Sequence, residues 1–321
     1  MSYSLSRISG SKLNKGSFSG TWFNGYGVSL LDGQEKGEYI SPFISSPFLF
    51  KEAIPSVNID CQSSSSFKIH IEFENNLWHY FGYWGRSNED EETSALLDCD
   101  YFKIEKPAKK CRFKIGLFRR ADEPTPVIKS LNMAFSEEIF TNTRPFNNSI
   151  PTIAKTLPVP FRSQFSEDPA FCAHICSATS IGMVMNYYGK NIATAEIVRK
   201  VYDPFYDMYG LWWRSAQIAS EYGFTSWVQY FQDWQSCEDF IAQGIPVIAC
   251  TAYKEGELPG APAEFSQGHI IVISGFDTNG NPICRDSAGK DEKTGILTYD
   301  RESFGKSWFS NAGGVGYIIH G

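Results

Sequence analysis

From Phe67 to Glu74 apolar and polar residues alternate strictly, with Phe67, Ile69, Ile71 and Phe73 on one side. Period-two alternation predicts an antiparallel strand with one face covered and one wet. Leu77 to Trp84 answers it after the turn-prone pair Asn75 and Asn76, so the two segments predict a hairpin. Cys111 to Phe118 alternates again, and Tyr101 to Ile104 adds a further short strand. Short strands at this spacing, joined by Ser- and Gly-rich turns, predict a β-sandwich over residues 18–143. Asn88 to Thr93 reads as a solvated acidic loop, and Ser63 to Ser66 is a short low-complexity tract.

The period changes in the second half. Ile181, Val184, Met185 and Tyr188 recur at helical spacing after Ser177, Thr179 and Ser180, residue types that favour helix starts, and Gly189 can cap the end. Further helices are predicted over Ala193–Tyr202, Leu211–Tyr222 and Cys237–Gln243. Pro246 to Cys250 then opens a sheet. Ile270 to Ile273 is a β-branched run with no polar break, as in a strand covered on both faces. Helices first and strands later give an α+β order over residues 155–321. Between Asn142 and Pro158, three prolines and an Asn-rich stretch mark the boundary.

Cys176 stands at the mouth of the first helix, and His269 at the head of the buried strand. A helix N-terminus and a neighbouring imidazolium both favour thiolate over thiol. Asp286 follows a second predicted strand, Pro282 to Arg285, and would lie near His269 on adjacent antiparallel strands. A carboxylate there fixes the imidazole tautomer and stabilises its cation. Asp277 competes for that role, but Asp277 to Gly280 has turn chemistry, so Asp286 is preferred. Cys172 is a rival nucleophile and His174 a rival base. Cys172, His174 and Cys176 also look like metal ligands, but a structural zinc commonly takes two close pairs, and no second pair is apparent.

These segments resemble a known family. Cys176 to Gly189 is similar to the block around the nucleophile of bacteriocin-processing, double-glycine leader peptidases, bacterial enzymes with a papain-like fold. Gly268-His269 with Gly275 to Asp277 resembles that family's histidine strand, and Asp286 to Ala288 its third-residue segment. Val159 to Gln164 resembles the block whose glutamine helps build the oxyanion hole. The resemblance covers about half the chain. It implies a papain-like domain with Cys176 as nucleophile, His269 as general base and acid, Asp286 orienting His269, and Gln164 binding the oxyanion. Two departures stand out: Ser177-Ala178 where the family has Gly-Pro, and Ser287 where proline is usual.

The resulting expectation is an endopeptidase acting on peptide or protein through a thioester. A deamidase, transglutaminase or isopeptidase would use the same residues. The remaining alternative is a silent binding protein on a peptidase scaffold. No metal or organic cofactor is implied. A net charge of −7 argues against nucleic acid as partner. No segment approaches a membrane span, and Met1 to Arg7 lacks the apolar core of a secretory signal. The expectation is a chain that starts in the cytosol, its eight scattered cysteines reduced, or one exported by a signal-free route. Cys111, Cys250 and Cys284 read as buried small hydrophobes. Trp78, Tyr80, Tyr83 and Trp84 are either a face for substrate or carbohydrate or, as is more common, sandwich core. Trp212 and Trp213, with the aromatic stretch Tyr202 to Tyr209, either line a groove or pack a helix.

Overall fold

The computed structural model describes residues 2–61, 64–85, 94–141, 144–149 and 153–321. Asn88 to Thr93, Ser63 and the linker residues Asn142 and Pro151 lie outside them. The chain divides into two compact units, residues 1–139 and 140–321. Among the described residues no helix is long and apolar enough to cross a membrane.

Among the described residues the first unit is all β apart from one 3-10 turn, Gly10–Lys15. Ser66–Glu72 and His79–Trp84 pair antiparallel, with Phe67 opposite Trp84 and Ile71 opposite His79. The alternation is visible in burial: Phe67, Ile69 and Ile71 are fully buried, as are Cys111, Phe113, Ile115 and Leu117. The two strands expected near Tyr101 and Cys111 are one, Tyr101–Phe118. It passes from one sheet layer, where it pairs with Ile44–Asp60, to another, where it pairs with Lys36–Ile40 and Ser66–Glu72. Pro107 cannot donate to the ladder, and the register with Ile44–Asp60 slips on both sides of Ala108. The chain stays extended through that irregularity.

The strand Ile44–Asp60 runs through the middle of the unit, between Tyr101–Phe118 and Val127–Ser136. Its half Glu52 to Ile59 is buried without interruption, so it shows no alternation to read. The unit also begins ahead of residue 18: Tyr3–Ser9 pairs along its whole length with Ser130–Ser136. Trp84 and Phe81 are core, Trp84 stacking on Phe67. Trp78 instead lies beside the cations of Arg112 and Lys114.

In the second unit the first helix, Cys176–Tyr187, is buried along nearly its whole circumference from Ser177 to Met185. Ser177, Thr179 and Ser180 lie inside it and do not cap it. Thr179 Oγ1 instead returns a 2.9 Å bond to the Ile175 carbonyl one turn back. Helices follow at Thr194–Val201, Trp212–Glu221 and Trp234–Ala242. The last starts ahead of the expected Cys237, because the Asp233 side chain accepts the Ser236 N–H and caps it. Trp213 is buried as helix packing, under the Arg214 guanidinium.

The sheet runs in the order Thr225–Tyr230, Val315–His320, Val247–Tyr253, Ser266–Phe276, Pro282–Arg285, Ile296–Thr298. It therefore does not begin at Pro246. Thr225–Tyr230 comes before the fourth helix in sequence and pairs with the C-terminal strand. The central strands Val247–Tyr253 and Ser266–Phe276 are antiparallel, with Cys250 opposite Ile270 and Thr251 opposite His269. The first helix packs on the Ser266–Phe276 strand, where Ser180 Oγ bonds the Ile270 carbonyl at 3.2 Å. Helix start and histidine are thereby brought together.

Candidate active site

Cys176 is the first residue of its helix. The preceding turn, Cys172–His174, is a single 3-10 turn that delivers the chain to the helix mouth. No side chain caps this helix. Its first N–H groups have no intrahelical acceptor and face the region of the thiol. Cys176 itself is partly exposed.

His269 is 6% exposed. Its Nε2 lies 2.7 Å from Asp286 Oδ1. Cys176 stands beside it, close enough for each side chain to shift the other's pKa. With Nε2 committed to the carboxylate, Nδ1 is the nitrogen left for sulfur. Burial works to raise the Cys176 pKa, but His269, with the N–H groups of Ile270 and Ser177, brings it below the ordinary thiol value. Burial alone would lower the His269 pKa, yet Asp286 and the Cys176 sulfur raise it above the ordinary imidazole value. The thiol is shifted down and the imidazole up, the directions that favour a thiolate beside an imidazolium. The buried thiols Cys111, Cys237 and Cys284 go the other way, all pushed up by burial. Cys111, Cys172, Cys176, Cys237 and Cys284 are free thiols.

Asp286 is fully buried. Burial works to raise its pKa, but His269, Tyr299 and the Ala288 N–H overcome that and lower it. Oδ1 accepts the Ala288 N–H at 3.0 Å as well as facing His269, and Oδ2 accepts the Tyr299 hydroxyl at 2.7 Å. The segment is fixed by close backbone approach. The Asp286 N–H bonds the Gly295 carbonyl, and a Cβ at Gly295 would sit 2.1 Å from the Phe161 ring. Only glycine fits there. Asp277 does not reach His269; it accepts the N–H groups of Asn279 and Asn281 and closes its own turn.

Gln164 is buried and tied at three points. Its N–H bonds the Ser287 carbonyl at 2.9 Å, its Oε1 accepts the Ser287 hydroxyl at 2.8 Å, and its Nε2 donates to the Cys172 carbonyl at 2.9 Å. The segment leading to it is held against the same strands: Arg285 Nε donates to the Val159 carbonyl, and the Leu157 N–H to the Ser274 carbonyl. Gln164 thus bridges the Asp286 segment and the turn before Cys176. Among the described residues Cys172 Sγ bonds only the Pro169 carbonyl, at 3.9 Å, and His174 is exposed. Among the described residues, no group of three or more His, Cys, Asp and Glu is placed to hold a metal ion.

The two departures noted in the sequence are hydroxyls with buried partners. Ser177 bonds Ser215 at 2.8 Å, and Ser287 bonds Gln164. Tyr299 gave no signal in the sequence, because it reaches Asp286 from beyond the next strand. Ser287 did carry one, as a polar residue where proline is usual.

Residues 156–315, just under half of the chain, match the model of the Peptidase_C39 like family. No curated protein matches the chain. Among solved structures, a xylan-binding module, CBM15, is 14% identical, covers 43% of this chain and 100% of its own, and has a TM-score of 0.26. A family two carbohydrate esterase from Cellvibrio japonicus is 11% identical over 44% of this chain and 38% of its own, with a TM-score of 0.22. TmCBM61 in complex with beta-1,4-galactotriose is 12% identical over 41% of this chain and 86% of its own, with a TM-score of 0.20. At TM-scores this low these structures carry no argument about fold or ligand.

Proposed function

We propose that the second unit is a papain-like cysteine hydrolase, most simply an endopeptidase, with Cys176, His269, Asp286 and Gln164 as its working residues. The observation that carries this reading is His269, bonded through Nε2 to Asp286 and electrostatically coupled to the Cys176 thiol beside it. The match of residues 156–315 to a peptidase family supports it.

The chemistry follows from the geometry. The Cys176 thiolate attacks the carbonyl carbon of the scissile bond. The oxyanion that forms lies at the helix mouth, where the Cys176 N–H and the Gln164 amide are the donors. His269, as imidazolium, protonates the departing amine, and the C–N bond breaks to leave a thioester. Neutral His269 then takes a proton from water, which attacks the thioester and releases the acid. Asp286 holds the ring and stabilises its charged form without itself taking the proton.

Cleavage of a peptide library by wild type and by Cys176→Ala tests the reading. Cleavage by the wild type that is lost in the variant supports it. Equal cleavage by both, or none by either, rejects it.

A further inference from the structure

Tyr253 is the last residue of the strand Val247–Tyr253 and is 4% exposed. Register places its side chain. Thr251 stands opposite His269; the register then slips by one residue on the His269 strand, so that Tyr253, two residues along from Thr251, stands opposite Ser266. Residues two apart on a strand share a face, and directly opposed residues point to the same side. Tyr253 therefore shares the face of His269, where Cys176 and Asp286 meet the imidazole. The phenol lies close enough to both for their charges to reach it. Burial first, then Asp286 and Cys176, raise its pKa. It stays protonated across the working pH range and is a hydrogen-bond donor.

Its hydroxyl has no hydrogen-bond partner among the described residues. A buried hydroxyl left unpaired costs about 1–3 kcal/mol, and buried tyrosines usually find a partner. The neighbouring acceptors are already engaged. Both Asp286 oxygens are taken by His269, Ala288 and Tyr299. Around the Cys176 sulfur stand His269 and the N–H groups of Ile270 and Ser177, all of which lower its pKa. The acceptor that suits such a donor is a carbonyl oxygen, which a peptide carries at every residue.

We propose that Tyr253 Oη is a substrate-binding donor, bonding a main-chain carbonyl of the peptide held at Cys176. The inference rests on the hydrolase reading above and adds a specificity-determining contact to it.

Tyr253→Phe keeps the ring and its packing and removes only the hydroxyl. The variant should unfold at the wild-type temperature or above it, since no bond within the protein is lost. Iodoacetamide, which has no peptide main chain, should alkylate Cys176 at the wild-type rate. A dipeptidyl chloromethyl ketone, which does, should react about three- to tenfold more slowly, the worth of one neutral hydrogen bond. Equal ketone rates in variant and wild type would overturn the inference and leave the hydrolase reading standing. So would an equal slowing of both reagents with a lower unfolding temperature, which marks a structural role. Failure of both reagents to label Cys176 in the wild type would overturn the hydrolase reading, and the inference with it.

Discussion

The Ser287 hydroxyl donates a 2.8 Å hydrogen bond to Gln164 Oε1 and so decides which end of that amide faces the Cys172 carbonyl. Ser287→Ala leaves the amide held at one end only. Peptide turnover should fall several-fold, while iodoacetamide labelling of Cys176 stays at the wild-type rate, because the thiolate is supported by other groups. Equal loss in both assays would show that Ser287 serves the fold alone.

Gln164→Ala removes the proposed oxyanion donor. Losing one such donor lowers kcat by about 10²- to 10³-fold. Steady-state kinetics should show that loss, again with alkylation of Cys176 preserved. A kcat within twofold of wild type would remove Gln164 from the mechanism.

Asp286→Asn separates orientation from nucleophilicity. His269 owes its raised pKa to Asp286, so the upper limb of the pH–activity profile should move to lower pH, and kcat should fall at least about 10²-fold. Stability follows the same groups with opposite signs. Asp286 titrates below its ordinary 3.8, so its contribution is complete above that pH and lost as pH falls through the depressed value. His269 titrates above its ordinary 6.5, so its contribution is complete below that pH and lost as pH rises through the raised value. Urea unfolding across pH should show the wild-type advantage over Asp286→Asn widest between these limits.

The two units are compact by their own contacts, and all four proposed catalytic residues lie in the second. Residues 140–321, expressed alone, should fold and react with a thiol-directed acyl probe at Cys176. A folded but unreactive fragment would place part of the catalytic machinery in residues 1–139.

Alternation made the hairpin of Ser66–Glu72 and His79–Trp84 legible, since one face is core and the other wet. The strand Ile44–Asp60 was not legible: half of it is buried on both faces, and Pro47 and Pro55 interrupt it. At the site, Cys176, His269 and Asp286 stand out because each belongs to a local pattern that positions it, whereas Gln164 stands out only through the resemblance of Val159 to Gln164 to a known family's block. Tyr299 and Tyr253 do not. Their roles depend on which strands lie side by side, and one-dimensional spacing carries no record of that. The helix does start at Cys176, but not through the caps its composition suggests. Ser177, Thr179 and Ser180 have the composition of a cap, but their hydroxyls satisfy carbonyls and a serine within the core.

The most direct test is to trap the covalent intermediate. The protein is mixed with a peptide library, quenched in acid within seconds, and mapped by mass spectrometry. An acyl group in thioester linkage to Cys176, absent from Cys176→Ala and enriched in variants slowed at deacylation, is the predicted result. An acyl group on Cys172 or another thiol, or turnover with no acylated cysteine, would contradict the account.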